Sequence, residues 1–227
     1  MPFTIHHLPF TIYRLPFPAM NSYVKDSPAP EGLSAKSLLE RSLREHLEAV
    51  QDILQTRIDE IEQAGEMICA ALRNGHKILI CGNGGSAADA QHIAAELVGK
   101  YERERPGLPA VALTTDTSAL TALSNDYGYK EVFARQVQAL AREGDVLIAI
   151  STSGASANII EAANAARKQG CKTIALLGSS GGPLASSCDL VVSVPSNRTS
   201  RIQEAHITIG HLWCEMVDVT LAADRRG

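Results

Sequence analysis

Aromatic residues make up only 4% of this 227-residue chain. Gly and Ala are plentiful instead, a composition suited to helices packed closely on a sheet. Excess positive charge is also missing. With 21 Lys and Arg against 25 Asp and Glu the net charge is −4, so there is no electrostatic footprint for nucleic acid or a membrane surface. No apolar run approaches the about 20 residues of a membrane span. The five cysteines, Cys69, Cys81, Cys171, Cys188 and Cys214, are odd in number and lack C-x-x-C spacing, which argues against a disulfide framework. They read as buried free thiols in a reducing compartment, the cytoplasm. This length is most simply one domain with a substantial core.

The first residues differ from the rest. Pro-Phe recurs at positions 2, 9 and 16, and this stretch holds Phe3, Phe10 and Phe17, three of the four Phe in the chain. Pro, His and Arg interrupt any signal-peptide core, and no small-residue cleavage site follows. Residues 1–32 are expected to be a disordered leader and 33–227 the domain. Met20 is a candidate translation start, which would leave residues 1–19 untranslated.

From Ser34 to Asn74 apolar residues recur at three- and four-residue steps, from Leu39, Leu43 and Leu47 through Leu54, Ile58 and Ile61 to Ile68 and Leu72. The spacing predicts two consecutive helices or one kinked helix. Its apolar stripe covers either a partner subunit as well as the core, or its own sheet alone. Strands are then predicted at 77–82, 109–114, 145–150, 172–178 and 190–195, alternating with helices near 86–98, 118–123, 130–142, 156–169 and 202–223. Continuous Val, Ile and Leu runs between helices imply a parallel sheet buried on both faces. The expected fold is an α/β three-layer sandwich, a doubly wound five-stranded parallel sheet preceded by helices. Its ligands belong at the carboxyl ends of the strands.

Two of those ends read as anion loops. Asn83-Gly84-Gly85-Ser86 follows the first strand and opens a helix, whose free N–H groups and positive end attract a phosphate. Ser151-Thr152-Ser153-Gly154-Ala155-Ser156 follows the third. One hydroxyl there would be a helix cap, but four in six residues after a buried strand favour a binding loop. Dinucleotide G-x-G-x-x-G and Walker G-x-x-x-x-G-K-[ST] spacings are both absent, so a phosphorylated small metabolite fits better than a nucleotide. Ser179-Ser180-Gly181-Gly182-Pro183 reads as a plain turn.

Four further side chains carry chemistry. His92 and Glu96 are one helical turn apart, and Gln203 and His211 eight residues apart on nearly one face. If they converge, two imidazoles, a carboxylate and a carboxamide suit a divalent metal or a proton-transfer pair. Alone, a His/Glu pair at this spacing is more often a satisfied helix pair.

The run G-N-G-G-S with A-D-A-Q-H-I-A-A-E, then S-N-D-Y-G, S-T-S-G-A-S and R-I-Q-E-A-H-I-T-I-G-H resembles the phosphoheptose isomerases, the sedoheptulose 7-phosphate isomerase family of the sugar-isomerase (SIS) superfamily. The resemblance extends from Ser34 to the C-terminus. It implies aldose–ketose isomerisation of sedoheptulose 7-phosphate to D-glycero-D-manno-heptose 7-phosphate through an enediol, the first step toward ADP- or GDP-heptose precursors. It implies one Zn2+ per subunit, or another divalent ion, held by His92, Glu96, Gln203 and His211, with Glu96 and His211 as the acid–base pair. It assigns the sugar phosphate to Asn83, Gly84, Gly85, His92, Glu96, Asn125, Asp126, Ser151, Thr152, Ser153, Ser156 and Gln203. It also implies a homotetramer. Ser200 precedes R-I-Q-E, so no carboxylate role carries over there.

The chemistry agrees with those residue types. Isomerisation needs a base over the reacting carbons and an acid near their oxygens, without a redox cofactor. A Glu in an apolar pocket suits the first task and a His the second. A Glu bound tightly to zinc is a poorer base, so a metal either polarises the substrate while Glu96 shifts off it or mainly organises the pocket. Two other readings stay open. A non-catalytic SIS phosphosugar-binding regulatory protein, of the replication-initiator-associated type, would lack the full acid–base set. An amino-sugar-phosphate lyase would share the S-T-S-G loop without His92/Glu96 and Gln203/His211.

Overall fold

Alternate residues of a strand face opposite sides of a sheet, so a strand covered on both faces is apolar throughout. In the computed structural model, which describes residues 34–223, this holds for β1 (Ile78–Gly82) and β3 (Val146–Ser151), buried at every position. With β2 (Ala110–Ala112), β4 (Lys172–Leu177) and β5 (Leu190–Ser193) they form one parallel five-stranded sheet in the order β2-β1-β3-β4-β5. The expected leader at 1–32 lies outside the described residues.

Each face of the sheet has its own core. Ile78, Ile80, Ile148 and Ile174 pack with Ile68, Ile93 and Trp213 on one side. Leu79, Leu147, Ala149 and Ala175 pack with Phe133, Ile159 and Ala166 on the other. The first side is covered by α2 (Ile58–Arg73), α3 (Gly85–Val98) and α8 (Thr199–Ala223), the second by α5 (Val132–Leu140) and α6 (Ala157–Lys168). The remaining helices are α1 (Ala35–Thr56), α4 (Thr117–Tyr127), the one-turn α7 (Gly182–Ala185) and a 3-10 turn at Tyr129–Glu131. The three-layer sandwich read from the strand pattern is therefore present. No helix among the described residues is long and apolar enough to cross a membrane.

The N-terminal pattern resolves into two helices, broken at Arg57, where φ is −133°. The apolar stripe divides with them. Ile61, Ile68 and Leu72 of α2 are buried, whereas Leu39, Leu43, Leu47 and Leu54 of α1 remain 64 to 67% exposed. Cys69, Cys81, Cys171 and Cys214 are buried free thiols and Cys188 is half-buried. Burial pushes Cys171 and Cys188 up to about 11, so they stay protonated and unreactive.

The segment after α3 is pinned to α8 by a buried ion pair. Arg105 Nε donates to Asp218 Oδ1 at 2.6 Å, and both side chains are 2% exposed. Asp218 also accepts from the backbone N–H groups of Glu102 and Arg103, while Arg105 donates to the carbonyls of Glu96 and Leu97 at the end of α3. Buried charges persist only when matched this fully.

Candidate active site

In a sheet of this order the chain turns one way from β1 and the other from β3, leaving a crevice between their carboxyl ends. Both anion loops open there. α3 starts at Gly85, so the Asn83–Ser86 loop sits at the positive end of that helix. Gly85 lets the Gln203 amide lie close: a Cβ there would be 2.5 Å from Gln203 Nε2.

The second loop is braced from within. Ser151 is buried, and its Oγ accepts from Gly154 N–H at 3.1 Å. Ser153 Oγ accepts from Ala155 N–H at 3.3 Å. Ser156 precedes α6 without capping it by its side chain, and its hydroxyl faces that of Ser151 at 3.3 Å. Thr152 and Ser153 border a polar cavity of about 200 Å³ shared with Ser180, Asn197 and Thr199. The Ser179–Pro183 stretch, read from sequence as a plain turn, supports this loop. Leu184 N–H donates to the Gly154 carbonyl at 2.9 Å. Gly154, at φ 63°, leaves no room for a Cβ against the Gly181 carbonyl.

Asn83 is held by side chains from two other segments. It exchanges hydrogen bonds with Asn158 in both directions, each 2.9 Å, and its Oδ1 also accepts from the Tyr129 hydroxyl at 2.9 Å. Asn125 and Asp126 sit on the exposed last turn of α4, bonded to each other at 2.9 Å.

α3 and α8 lie side by side and run in the same direction, because Gly85 meets Gln203 at one level and His92 meets His211 further along. His92 Nε2 is 3.2 Å from Glu96 Oε1 and 3.0 Å from His211 Nε2. One ligand atom from each of His92, Glu96 and His211 falls within 4.8 Å of the others. Two ring nitrogens facing each other beside a carboxylate make a donor set that a divalent cation fits. Gln203 lies nearer the start of α8. Eight residues of helix separate it from His211 by about 12 Å, and its amide rests against Gly85 at the phosphate-loop end of α3. The groove is also more open than the Ala- and Ile-rich sequence suggests: the His92 side chain is 46% exposed and that of Glu96 26%.

Three neighbours escaped the sequence reading. Burial pushes the Asp89 carboxyl up to about 6 against the pull of His92, and its Oδ2 has no hydrogen-bond partner. The available signal was an acid three residues before His92 in an Ala-rich helix. The Tyr101 ring lies 5.4 Å from that of His211. His206 is fully buried, with Nε2 donating to the Leu177 carbonyl at 3.1 Å. Nothing in their spacing marks either of these two.

Sheet order, paired loops and the groove between α3 and α8 place the chain among proteins built on the SIS fold, and a family model described as SIS domain matches residues 43–178. Among curated relatives, a phosphoheptose isomerase of Aliarcobacter butzleri (strain RM4018) is 54% identical over 187 residues, 82% of this chain and 99% of the relative. One from Roseiflexus sp. (strain RS-1) is 58% identical over 168 residues, 74% of this chain and 85% of that one. The solved phosphoheptose isomerase GmhA from Neisseria gonorrhoeae superposes with a TM-score of 0.78 at 48% identity, covering 82% of this chain and all of that one. The chain belongs to the phosphoheptose isomerase family.

Proposed function

We infer that the chain is an isomerase converting sedoheptulose 7-phosphate to D-glycero-D-manno-heptose 7-phosphate through an enediol. Family membership at this identity supplies the substrate class, and the meeting of His92, Glu96 and His211 is the observation that carries the chemistry. In this reading Glu96 moves the proton between C1 and C2 and His211 serves the two oxygens. The loops at Asn83–Ser86 and Ser151–Ser156 grip the phosphate, with Asn125, Asp126 and Gln203 contacting the sugar.

Distance supports this division. Gly85 and His92 are seven residues apart on α3, about 10 Å along the helix. A heptose with its phosphate at one end and its reacting carbons at the other spans six C–C bonds of about 1.5 Å each. The phosphate loop therefore holds the remote end while the reacting carbons reach the His/Glu cluster.

His92, Glu96 and His211 would hold one zinc or another divalent ion per subunit. When bound, such an ion supplies Lewis-acid stabilisation of the oxygens. Gln203, on α8 two turns before His211 and with its amide beside Gly85, would complete that ligand set. The exposed leucines of α1 favour a homo-oligomer, read here as a tetramer, and the cysteine usage favours the cytoplasm.

Incubation of the purified protein with sedoheptulose 7-phosphate, followed by proton NMR, tests the function. A new aldose C1 proton signal is expected. Its absence with metal supplied would favour the non-catalytic phosphosugar-binding reading.

A further inference from the structure

Asn83 in the first anion loop has little left to offer a ligand. A carboxamide has two acceptor lone pairs and two N–H donors. Both lone pairs of Asn83 Oδ1 are taken, by Asn158 Nδ2 and by the Tyr129 hydroxyl, and one N–H is given to Asn158 Oδ1. A single N–H remains, and its direction is dictated by Asn158. That residue is 4% exposed and lies at the start of α6, directly behind Ser156 of the second anion loop. The amide pair therefore bridges the two loops across the crevice between β1 and β3. The Lys130–Glu161 ion pair at 3.0 Å ties the Tyr129 turn to the same helix.

We propose that Asn158 is a positioning residue for the isomerisation: its buried amide clamps Asn83 so that both anion loops act as one rigid cradle and the last Asn83 N–H points at the sugar phosphate. The proposal rests on the sugar-phosphate reading of the crevice. The two loops follow separate strands, and their hydroxyls and N–H groups grip one phosphate only if their spacing is held. Within the second loop Ser151 and Ser153 brace their own turn. Across the loops, the side-chain link is the Asn83–Asn158 pair.

The test uses Asn158→Ala and Asn158→Asp in the full chain, with melting temperature, calorimetric affinity for sedoheptulose 7-phosphate and for inorganic phosphate, and KM and kcat. Asn158→Ala is expected to raise KM and weaken sugar-phosphate affinity about tenfold or more, with a smaller fall in kcat. Asn158→Asp separates the clamp from a purely structural role. When ionised, the carboxylate has no donor for Asn83 Oδ1 and sets oxygen against oxygen. When protonated, it regains one donor and one acceptor in nearly the same shape. Its affinity relative to wild type should therefore climb as pH is lowered from 8 to 5. Tyr129 and the Lys130–Glu161 pair face the same site but are shared with wild type, so they cancel in the ratio.

Affinity equal to wild type in both variants at pH 8 overturns the proposal. So does a pH-independent ratio for Asn158→Asp, and that arm remains decisive if the Ala variant fails to fold. Wild-type protein that binds the sugar phosphate without turning it over would sink the isomerase reading and leave the clamp standing.

Discussion

Nε2 of His211 lies 3.0 Å from Nε2 of His92, although 119 residues separate the two in sequence. Two ring nitrogens this close share one proton or one cation, never two protons. Glu96 Oε1 lies 3.2 Å from the same His92 nitrogen, so all three groups can address one cation.

Glu96→Gln and His211→Gln are each expected to lower turnover by at least about a hundredfold, as for general acid–base groups. Circular dichroism and melting temperature should stay near wild type, since both side chains border an open groove. Near-normal turnover in either variant would sink the acid–base assignment.

Elemental analysis at neutral pH should find roughly one divalent ion per subunit, and much less in His92→Ala. The ion should leave as pH falls, because a protonated imidazole has no lone pair for it. Fully active wild type without metal, indifferent to chelator and to added zinc, would reduce the cluster to an organic acid–base pair.

Replacing Ser151 and Ser153 together by Ala should weaken sugar-phosphate binding by roughly 1–3 kcal/mol in calorimetry. Part of that loss would be indirect, since both hydroxyls brace the loop through Gly154 and Ala155. Unchanged affinity would reduce the loop to a strand–helix connection.

His206 makes stability depend on pH with a definite sign. Burial lowers it to about 4 from 6.5, against the opposing hydrogen bond with Leu177. Between those values the unfolded chain takes a proton that the folded one refuses. The stability is therefore fully present above about pH 6.5 and lost as pH falls toward 4, by an amount on the order of 3 kcal/mol. His206→Gln keeps a donor for the carbonyl and does not titrate, so its urea midpoint should fall less steeply over that window. Parallel pH profiles for variant and wild type would refute this.

Arg105→Ala would leave Asp218 buried without its cation. Burial alone would raise the Asp218 pKa, but the Arg103 and Glu102 N–H groups and the Arg105 side chain outweigh it and hold the carboxyl below its ordinary value. Loss of the partner should cost about 3–5 kcal/mol by urea denaturation. A cost below 1 kcal/mol would show that water reaches Asp218 and takes over.

Much of the architecture could be read along the chain because its causes are local. A strand buried on both faces must be apolar at every position, so Val146–Ile150 was legible as a strand of a parallel sheet. The glycines and hydroxyls of Asn83–Ser86 and Ser151–Ser156 marked the loops, because close backbone approach and phosphate contact need those residue types. The turn-length spacing of His92 and Glu96 put both on one face before any helix was seen.

What the chain alone determined, then, was element type, order and which residues share a face, all set by periodicities of two and 3.6 residues. The register between α3 and α8 was decided only by tertiary packing on the sheet. That register matches His211 with His92 while leaving Gln203 a further two turns back, over Gly85. The same holds for the burial of Asp89 and for the bonds joining Asn83 to Asn158, 75 residues away. Such pairings depend on how two helices and two loops settle against a common core, and no local spacing encodes that distance.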